Sequence, residues 1–298
     1  MGDIILEFIK NNYLVKINKI LFKDEYTFYS DKDNLYLFCE VHDKNVFYKL
    51  YYYFINGFFY KIILNKDGKI LSNFNGKSYV LLKYIEFDYD FKALISNNNL
   101  NFYDNNYKLN WRNVWINRAK YIEKSYKSII NKYNIVDESI DYFYGLLEAS
   151  IYLLRDYDNY NSNLYLEHIK FNYLEFYNPC NIKLDIKERD FGNYLKYLFF
   201  TNKYKNYNIK SFIISNLNNY NFNIVLARLI YPDYYFDLYD NLLEGNNIIN
   251  KLEYIILLVN DYEYYISCIY RILLENNAIK KVDFIDLHWL RQLLQVFL

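Results

Sequence analysis

The sequence predicts an α+β protein in which a β-rich first part of the chain is followed by a mainly helical second part. The first part has short runs of β-branched and aromatic residues that alternate with polar turns. In the second part, apolar residues recur every three or four positions over longer runs. We therefore expect a small antiparallel β-rich lobe with one helix at 1–88, a connector at 89–110, and a larger, mainly helical lobe at 111–298.

Turn-forming residues set the limits of the predicted strands. These strands are expected at 26–30, 35–41, 59–64, 69–71 and 78–85. Asp67-Gly68 and Asn75-Gly76 separate the last three runs, and such pairs between apolar runs are strong hairpin signals. Residues 46–56 could form a strand or a buried helix. Gly57 directly after them resembles a helix C-cap, which favours the helix.

Apolar periodicity predicts a series of helices after residue 110. Trp111, Trp115 and Arg118 recur at helical spacing in the first of them. Further helices are expected at 139–154, 190–200, 222–230, 252–259 and 262–274. Pro232 ends the helix at 222–230, because proline cannot continue a helical hydrogen-bond ladder. Residues 164–185, between the predicted helices, contain short strand-like pieces.

Charge and the length of apolar runs exclude two classes of partner, nucleic acids and membranes. Lys and Arg together number 35, as do Asp and Glu, so the formal net charge is zero. A chain without a basic excess has no global attraction for phosphates, and we expect no nucleic-acid partner. No apolar run reaches the roughly 18 residues of a membrane span, so no membrane association is expected. The 39 Tyr and 23 Phe are attributed to A/T-rich codons rather than to an aromatic binding surface.

The cysteines indicate the compartment. Cys39, Cys180 and Cys268 are widely spaced and odd in number, which suits reduced thiols in a cytosol rather than a disulfide framework. We therefore expect a cytoplasmic protein. The three histidines and three cysteines form no CxxC or HExxH pattern, so the sequence carries no metal-site signature of that kind.

The stretch between 164 and 185 carries the candidate chemistry. The run LYLEHIK at 164–170 is followed by NIKLD at 181–185, which places Asp185 after an apolar strand and 17 residues beyond His168. Kinase-like phosphotransferases need a Lys at the phosphates, an Asp that orients the hydroxyl nucleophile, and Asn and Asp side chains that hold Mg²⁺. A β-rich lobe, a helical lobe and one irregular central loop fit a kinase-like bilobal fold.

Several blocks of this chain resemble one family in the same order. The blocks are WRNVW at 111–115, YFYGLLEA at 142–149, the loop at 168–170, DIKERDFGNY at 185–194, ARLIYP at 227–232 with YFD at 235–237, and DLHWLR at 286–291. In these blocks the chain resembles the spore-coat kinase-like proteins of Firmicutes, the CotS/YutH group, and most of all the YutH type. That group lies within the aminoglycoside phosphotransferase and choline kinase-like superfamily. Asn193 departs from the pattern, because the family usually has Glu there.

The resemblance implies a phosphotransferase-like fold whose active site has decayed. In the aminoglycoside and choline kinase branch the base lies in a His-Gly-Asp loop, and here Lys170 stands at the position of that Asp. A charged Lys donates hydrogen bonds and cannot accept the proton of a hydroxyl. Glu175 occupies the slot of the metal-binding Asn, and the strand at 35–41 offers no phosphate-binding Lys. We therefore expect a degenerate loop at His168 and Lys170, no catalytic residue and no cofactor-binding residue.

The remaining residues of these blocks are expected to be structural. Asp185 matches the metal Asp, and it could bind Mg²⁺ or be a vestigial acid that caps the next helix. The residues assigned structural roles are Asp190, Arg189, Arg228, Trp111 and Trp115. Asp190 is expected to brace the backbone around His168. Arg228 is expected to pair with a carboxylate such as Glu148 or Asp237.

The sequence thus predicts a catalytically degenerate kinase-like protein that acts as a scaffold or binding module without a cofactor. The resemblance implies protein partners among spore-coat components, and incorporation into the spore coat or a part in its assembly. The alternative is an active small-molecule phosphotransferase that uses ATP and Mg²⁺ through Asp185. A third hypothesis is an unrelated α+β interaction protein.

Overall fold

The computed structural model describes residues 2–23, 26–41, 44–45, 47–48, 60–84, 109–158, 160, 163–169, 171 and 179–279. The chain forms two units. The first combines Met1–Leu100 with Leu166–Leu184, and the second combines Asn101–Tyr165 with Asp185–Leu298. The predicted connector at 89–110 lies outside the described residues except for its last two positions, so its limits stay a prediction.

The first unit is built on an antiparallel sheet. Its elements are helix α1 (Gly2–Asn12) and strands β1 (Lys19–Lys23), β2 (Tyr26–Ser30), β3 (Leu35–Glu40), β4 (Tyr60–Ile63), β5 (Ser72–Phe74) and β6 (Lys77–Tyr84). The strand order is β1-β2-β3-β6-β4, and β5 pairs with β6 beyond this path. Each of these pairings is antiparallel, which confirms the predicted antiparallel sheet.

Alternation along the strands gives the sheet two apolar faces. On one face, Tyr29, Tyr36 and Leu81 form a cluster with Ile9 of α1 and with Tyr13, which directly follows that helix. The other face carries a second cluster, in which the buried residues are Phe28, Leu37, Val41, Phe47, Tyr60, Val80 and Leu82. Cys180 packs against this second cluster, so the segment at 166–184 contributes to the core of the first unit.

The turns of the sheet differ partly from the prediction. Asn75 and Gly76 both have positive φ, 50° and 80°, and they form the two-residue connection of the β5–β6 hairpin. The turn around Asp67-Gly68 is present, but no strand follows at 69–71; β5 begins at Ser72 instead. Helix α1 and strand β1 were not predicted. Of the helix predicted at 46–56, residues 47 and 48 are helical, and the rest, like Gly57, lies outside the described residues.

The second unit is mainly helical, as predicted. Its helices are α2 (Trp111–Tyr126), α3 (Asn134–Leu153), α4 (Glu188–Phe200), α5 (Ile209–Ile214), α6 (Phe222–Ile230), α7 (Asp233–Leu243), α8 (Ile249–Leu257) and α9 (Val259–Glu275). Pro232 lies between α6 and α7 as the N-cap of the latter. Helix α7 was not predicted, because three tyrosines and three acids hide its apolar face in the sequence. No helix in the described part of the chain is long and apolar enough to cross a membrane.

The strand-like pieces predicted at 164–185 form a two-stranded sheet. Its strands are β7 (Tyr165–His168) and β8 (Ile182–Asp185). The backbone N–H of Ile169 donates to the carbonyl of Asn181 at 2.7 Å and extends this pairing. Strand β8 ends at Asp185, and α4 begins three residues later. The sheet thereby sets the position of the predicted metal residue directly before a helix.

Candidate functional site

Asp185 is buried, and nitrogen donors surround its carboxylate. The indole Nε1–H of Trp111 donates to Oδ1 at 3.0 Å and to Oδ2 at 3.1 Å. The backbone N–H of Ile186 donates to Oδ1 at 2.9 Å, and Nη1 of Arg189 lies 3.5 Å from Oδ2. The side chain of Asp185 is 2% exposed. Both carboxylate oxygens are therefore already engaged within the second unit.

Local secondary structure explains why these groups meet. Trp111 is the first residue of α2, Asp185 is the last of β8, and Arg189 lies four residues farther on in the first turn of α4. Trp111 and Trp115 are both buried on one face of α2, with ring centroids 5.7 Å apart. Trp115 stacks on Tyr231 at 4.4 Å and an interplanar angle of 12°. The two tryptophans thus belong to the core around the carboxylate.

The environment of Asp185 fits Mg²⁺ poorly. Mg²⁺ takes a near-octahedral set of oxygen ligands and needs accessible lone pairs on the carboxylate. Here N–H donors occupy the carboxylate, and a guanidinium stands beside it. Among the described residues, no group of three or more His, Cys, Asp or Glu side chains could hold an ion. Asp185 also does not act as the predicted cap of α4, whose N-cap is Lys187 without a side-chain hydrogen bond.

The indole of Trp111 should contribute measurably to stability. Trp111→Phe keeps an aromatic ring but removes the N–H that faces Asp185, and a buried carboxylate that loses a donor costs about 1–3 kcal/mol. Trp115→Phe is the matched control, since Trp115 packs on Tyr231 and its removal leaves the carboxylate untouched. We expect urea denaturation to show the larger loss for Trp111→Phe. Equal losses in the two variants would contradict a stabilising role of the indole N–H.

Arg228 pairs with a carboxylate other than the two that were named. Its Nε–H donates to Oδ1 of Asn193 at 2.8 Å, and its Nη2–H donates to Oδ2 of Asp233 at 2.7 Å. The carboxylate is thus Asp233 rather than Glu148 or Asp237. The expected pairing with a carboxylate is present, but neither named example is the partner, because α7 begins at Asp233 and presents this acid to Arg228.

Lys196 completes a buried charge network with these residues. Its Nζ donates to Oδ1 of Asp233 at 2.7 Å and also to the carbonyl of Tyr231. Burial lowers the pKa of Lys196 to about 7, although Asp233 opposes the shift. Burial alone would raise the pKa of Asp233, but Lys196 and Arg228 outweigh it and hold that pKa below its ordinary value. Burial, reinforced by Arg228, also lowers the pKa of the Arg189 guanidinium.

Gly192 allows α4 to approach Arg228. A Cβ atom at this position would lie 2.8 Å from Cγ and 2.9 Å from Cβ of Arg228, and 3.4 Å from the carbonyl oxygen of Val225. The two distances to Arg228 are shorter than real Cβ atoms show. The missing side chain therefore lets α4 and α6 pack closely enough for Arg228 of α6 to reach Asn193, the residue that follows Gly192 on α4.

The sequence patterns did not identify Gly192, Asn193, Lys196 or Asp233 as members of this charge network. A signal was available, since Arg189, Asn193 and Lys196 follow one another at four and three residues and so share one helical face. Beyond the first turn, the other residues of α4 are glycine or large apolar and aromatic residues, so this polar stripe marks the side of the helix that carries the network.

The central loop is described only in part. His168 is buried, and its ring centroid lies 5.3 Å from that of Phe171 at an angle of 73°. Lys170 and Glu175, the two substituted catalytic positions, lie outside the described residues, as does the block at 286–291. Asp190 is buried in the first turn of α4, and its bracing role toward the loop stays a prediction.

No family model matches this sequence, and no curated protein matches it. Solved structures with a similar backbone do exist. The chain superimposes on an aminoglycoside phosphotransferase from Alicyclobacillus acidocaldarius subsp. acidocaldarius DSM 446 with a TM-score of 0.58 and 10% sequence identity. That match covers 89% of this chain and 95% of the other. At this identity the likeness concerns the fold.

Two structures of the spectinomycin phosphotransferase APH(9)-Ia match with lower scores. The AMP-bound complex has a TM-score of 0.43, 11% identity, and coverage of 98% of this chain and 94% of the other. The complex with ADP and spectinomycin has a TM-score of 0.39, 13% identity, and coverage of 64% and 72%. The first match, together with the antiparallel sheet and the helical second unit, confirms the predicted fold class and removes the hypothesis of an unrelated α+β fold. This chain has the kinase-like α+β fold of the aminoglycoside phosphotransferases.

Proposed function

We propose that this protein is a kinase-like chain that has lost phosphotransfer and acts as a binding module or scaffold. The observation that carries the proposal is the state of Asp185. The residue at the position of the metal-binding acid accepts hydrogen bonds from the indole of Trp111 and from the backbone N–H of Ile186, and the guanidinium of Arg189 lies beside it. A carboxylate held in this way serves the packing of the second unit.

The substituted positions in the sequence support the same conclusion. Lys170 stands at the position of the catalytic Asp, and an ammonium cannot accept a proton from a substrate hydroxyl. Strand β3 carries no Lys that could contact phosphates. The proposed link with the spore coat rests on the resemblance of the sequence blocks, and detection of this protein in coat extracts of mature spores would test it.

The second candidate is an active small-molecule phosphotransferase. The position of Asp185 at the end of β8, directly before α4, favours it, because the resemblance places the metal acid there. This candidate needs Trp111 and Arg189 to release the carboxylate when Mg²⁺ and ATP arrive. It also needs a base other than Lys170.

A thermal-shift assay with ATP and MgCl₂ distinguishes the two candidates. A ligand at about 100 times its Kd adds on the order of 3 kcal/mol to the stability of the folded state, which raises the melting temperature by several degrees. We expect no such rise beyond that given by MgCl₂ alone or by ATP with EDTA. Isothermal titration of the unaltered protein with ATP and MgCl₂ gives an independent reading that requires no variant.

A rise in melting temperature that needs both ATP and Mg²⁺ would overturn the proposal. Asp185→Asn then locates the effect, since a rise that disappears in this variant assigns the metal to Asp185. Because this carboxylate is buried, the variant must first show a cooperative unfolding transition.

A further inference from the structure

The second unit contains a long stretch without acidic residues. No Asp or Glu occurs between Asp190 and Asp233, although the whole chain has 35 acidic and 35 basic residues. A/T-rich codon usage enriches Lys, Asn and Tyr, but it does not remove Asp and Glu from one segment only. Lys196 and Arg228 of this stretch are buried in the charge network, whereas Lys203 and Lys205 are exposed. Lys210 is also exposed, but its Nζ lies 3.9 Å from a carboxylate oxygen of Glu275. Lys203 and Lys205 are therefore the exposed lysines of this stretch to consider.

The exposed lysines lie against tyrosine rings. Nζ of Lys203 is 4.9 Å from the ring centroid of Tyr197 and 2.9 Å from its hydroxyl. Nζ of Lys205 is 5.8 Å from the ring centroid of Tyr204. These contacts hold the two ammonium groups at the surface next to half-buried aromatic rings. No ion pair within 4.0 Å joins either lysine to a carboxylate in the described part of the chain.

The two lysines follow α4 and lie two positions apart in the chain. We call Lys203 and Lys205, with Tyr197 and Tyr204, the basic aromatic surface.

We propose that the basic aromatic surface binds an acidic segment of a partner protein. Positive charge without internal carboxylate partners attracts an anionic ligand. A single-stranded nucleic acid would need free ring faces for base stacking, but the lysines already lie over the rings of Tyr197 and Tyr204. The surface also offers Lys rather than the Arg that binds phosphate bidentately. Glu and Asp carboxylates need only the exposed ammonium groups.

This inference rests on the proposed binding function, since it names the partner class of such a module. Fluorescence anisotropy of labelled poly-glutamate with the intact protein tests it. Poly-glutamine serves as the uncharged probe, and oligo-dT serves as the nucleic acid. We expect poly-glutamate to bind and poly-glutamine not to bind. The double variant Lys203→Glu/Lys205→Glu should bind poly-glutamate about tenfold more weakly, since each exposed charge contact is worth about 0.2–1 kcal/mol.

The matched control is Lys120→Glu/Lys124→Glu on α2, which changes the net charge equally at two other exposed lysines. An equal loss of affinity in the control would show general electrostatic attraction and would overturn the proposal. Tighter binding of oligo-dT than of poly-glutamate would overturn it in favour of nucleic acid. Absence of poly-glutamate binding would also refute it, while the result with ATP and Mg²⁺ would still decide the proposed function separately. Because all four lysines are exposed, we expect the variants to fold, and circular dichroism checks this.

Discussion

Asp233→Asn is expected to lower the free energy of unfolding by about 3 kcal/mol, because removing one partner of a buried ion pair leaves uncompensated charge. Asp233, whose side chain is 27% exposed, accepts hydrogen bonds from Lys196 and from Arg228, whose side chains are each 7% exposed, so the charge left unpaired would be on the buried cations. Lys196 can lose its proton, since burial lowers its pKa to about 7. Arg228 stays charged without the carboxylate. Chemical denaturation followed by circular dichroism measures the loss.

The pH dependence of this loss gives a second reading. In the unfolded chain Lys196 has its ordinary pKa, which is higher than its pKa in the folded protein. At a pH below the ordinary pKa, folding therefore favours release of the proton from Lys196. Without Asp233 the folded pKa of Lys196 falls further. The difference between the variant and the unaltered protein should therefore be greater at about pH 6 than at about pH 8. A loss that does not change with pH would show that Lys196 is not part of the network.

Asp158→Asn is the matched control. It breaks the ion pair with Arg112, in which the two side chains are 33% and 43% exposed, and such exposed pairs contribute about 0–1 kcal/mol. A loss below about 1 kcal/mol for Asp233→Asn, similar to that of the control, would contradict the importance of burial.

Gly192→Ala is expected to destabilise the protein by about 2–3 kcal/mol, since overpacking of a well-packed contact typically costs 1–3 kcal/mol. The new Cβ would lie within 3.0 Å of both Cβ and Cγ of Arg228. Those atoms are close to the backbone, and hydrogen bonds to Asn193 and Asp233 hold the guanidinium in place, so the side chain cannot easily move away. Thermal unfolding measures the effect.

Gly145→Ala provides the opposite case. Gly145 lies within α3, and a Cβ atom there would meet nothing within 4 Å. Alanine is the better helix former by about 1 kcal/mol, so this variant should be slightly more stable than the unaltered protein. If both substitutions changed the stability of the protein in the same direction, close approach of α4 and α6 would not explain the glycine at 192.

Local patterns predicted those elements whose apolar residues have a clear period. Helix α6 extends from Phe222 to Ile230 as predicted, because its apolar face is regular and Pro232 follows it. Strand β2 also has its predicted limits, since a polar turn ends it. Helix α1 was not predicted, because Glu7 interrupts its short apolar run and the helix is stabilised by packing of Ile5, Phe8 and Ile9 on the sheet.

The site shows why sequence spacing reaches only part of the arrangement. The position of Asp185 at the end of a strand follows from the local sequence. The contact with Trp111 joins residues 74 positions apart, and Arg228 meets Asn193 over 35 positions. Such contacts depend on how helices pack, which no short window of residues reports. A resemblance could place the blocks in order, but it could not identify Asp233 as the partner of Arg228.

The division of the chain has a consequence for its synthesis. The second segment of the first unit, Leu166–Leu184, is separated from the first segment by residues 101–165, and its Cys180 packs against the core of the unit. On a ribosome, this segment emerges roughly 4–17 s after residue 100, at about 5–20 residues per second. During that interval the sheet exposes the apolar surface against which Cys180 later packs. The nascent chain therefore offers chaperones a defined period in which to bind, and a fragment ending near residue 100 would keep that surface exposed permanently.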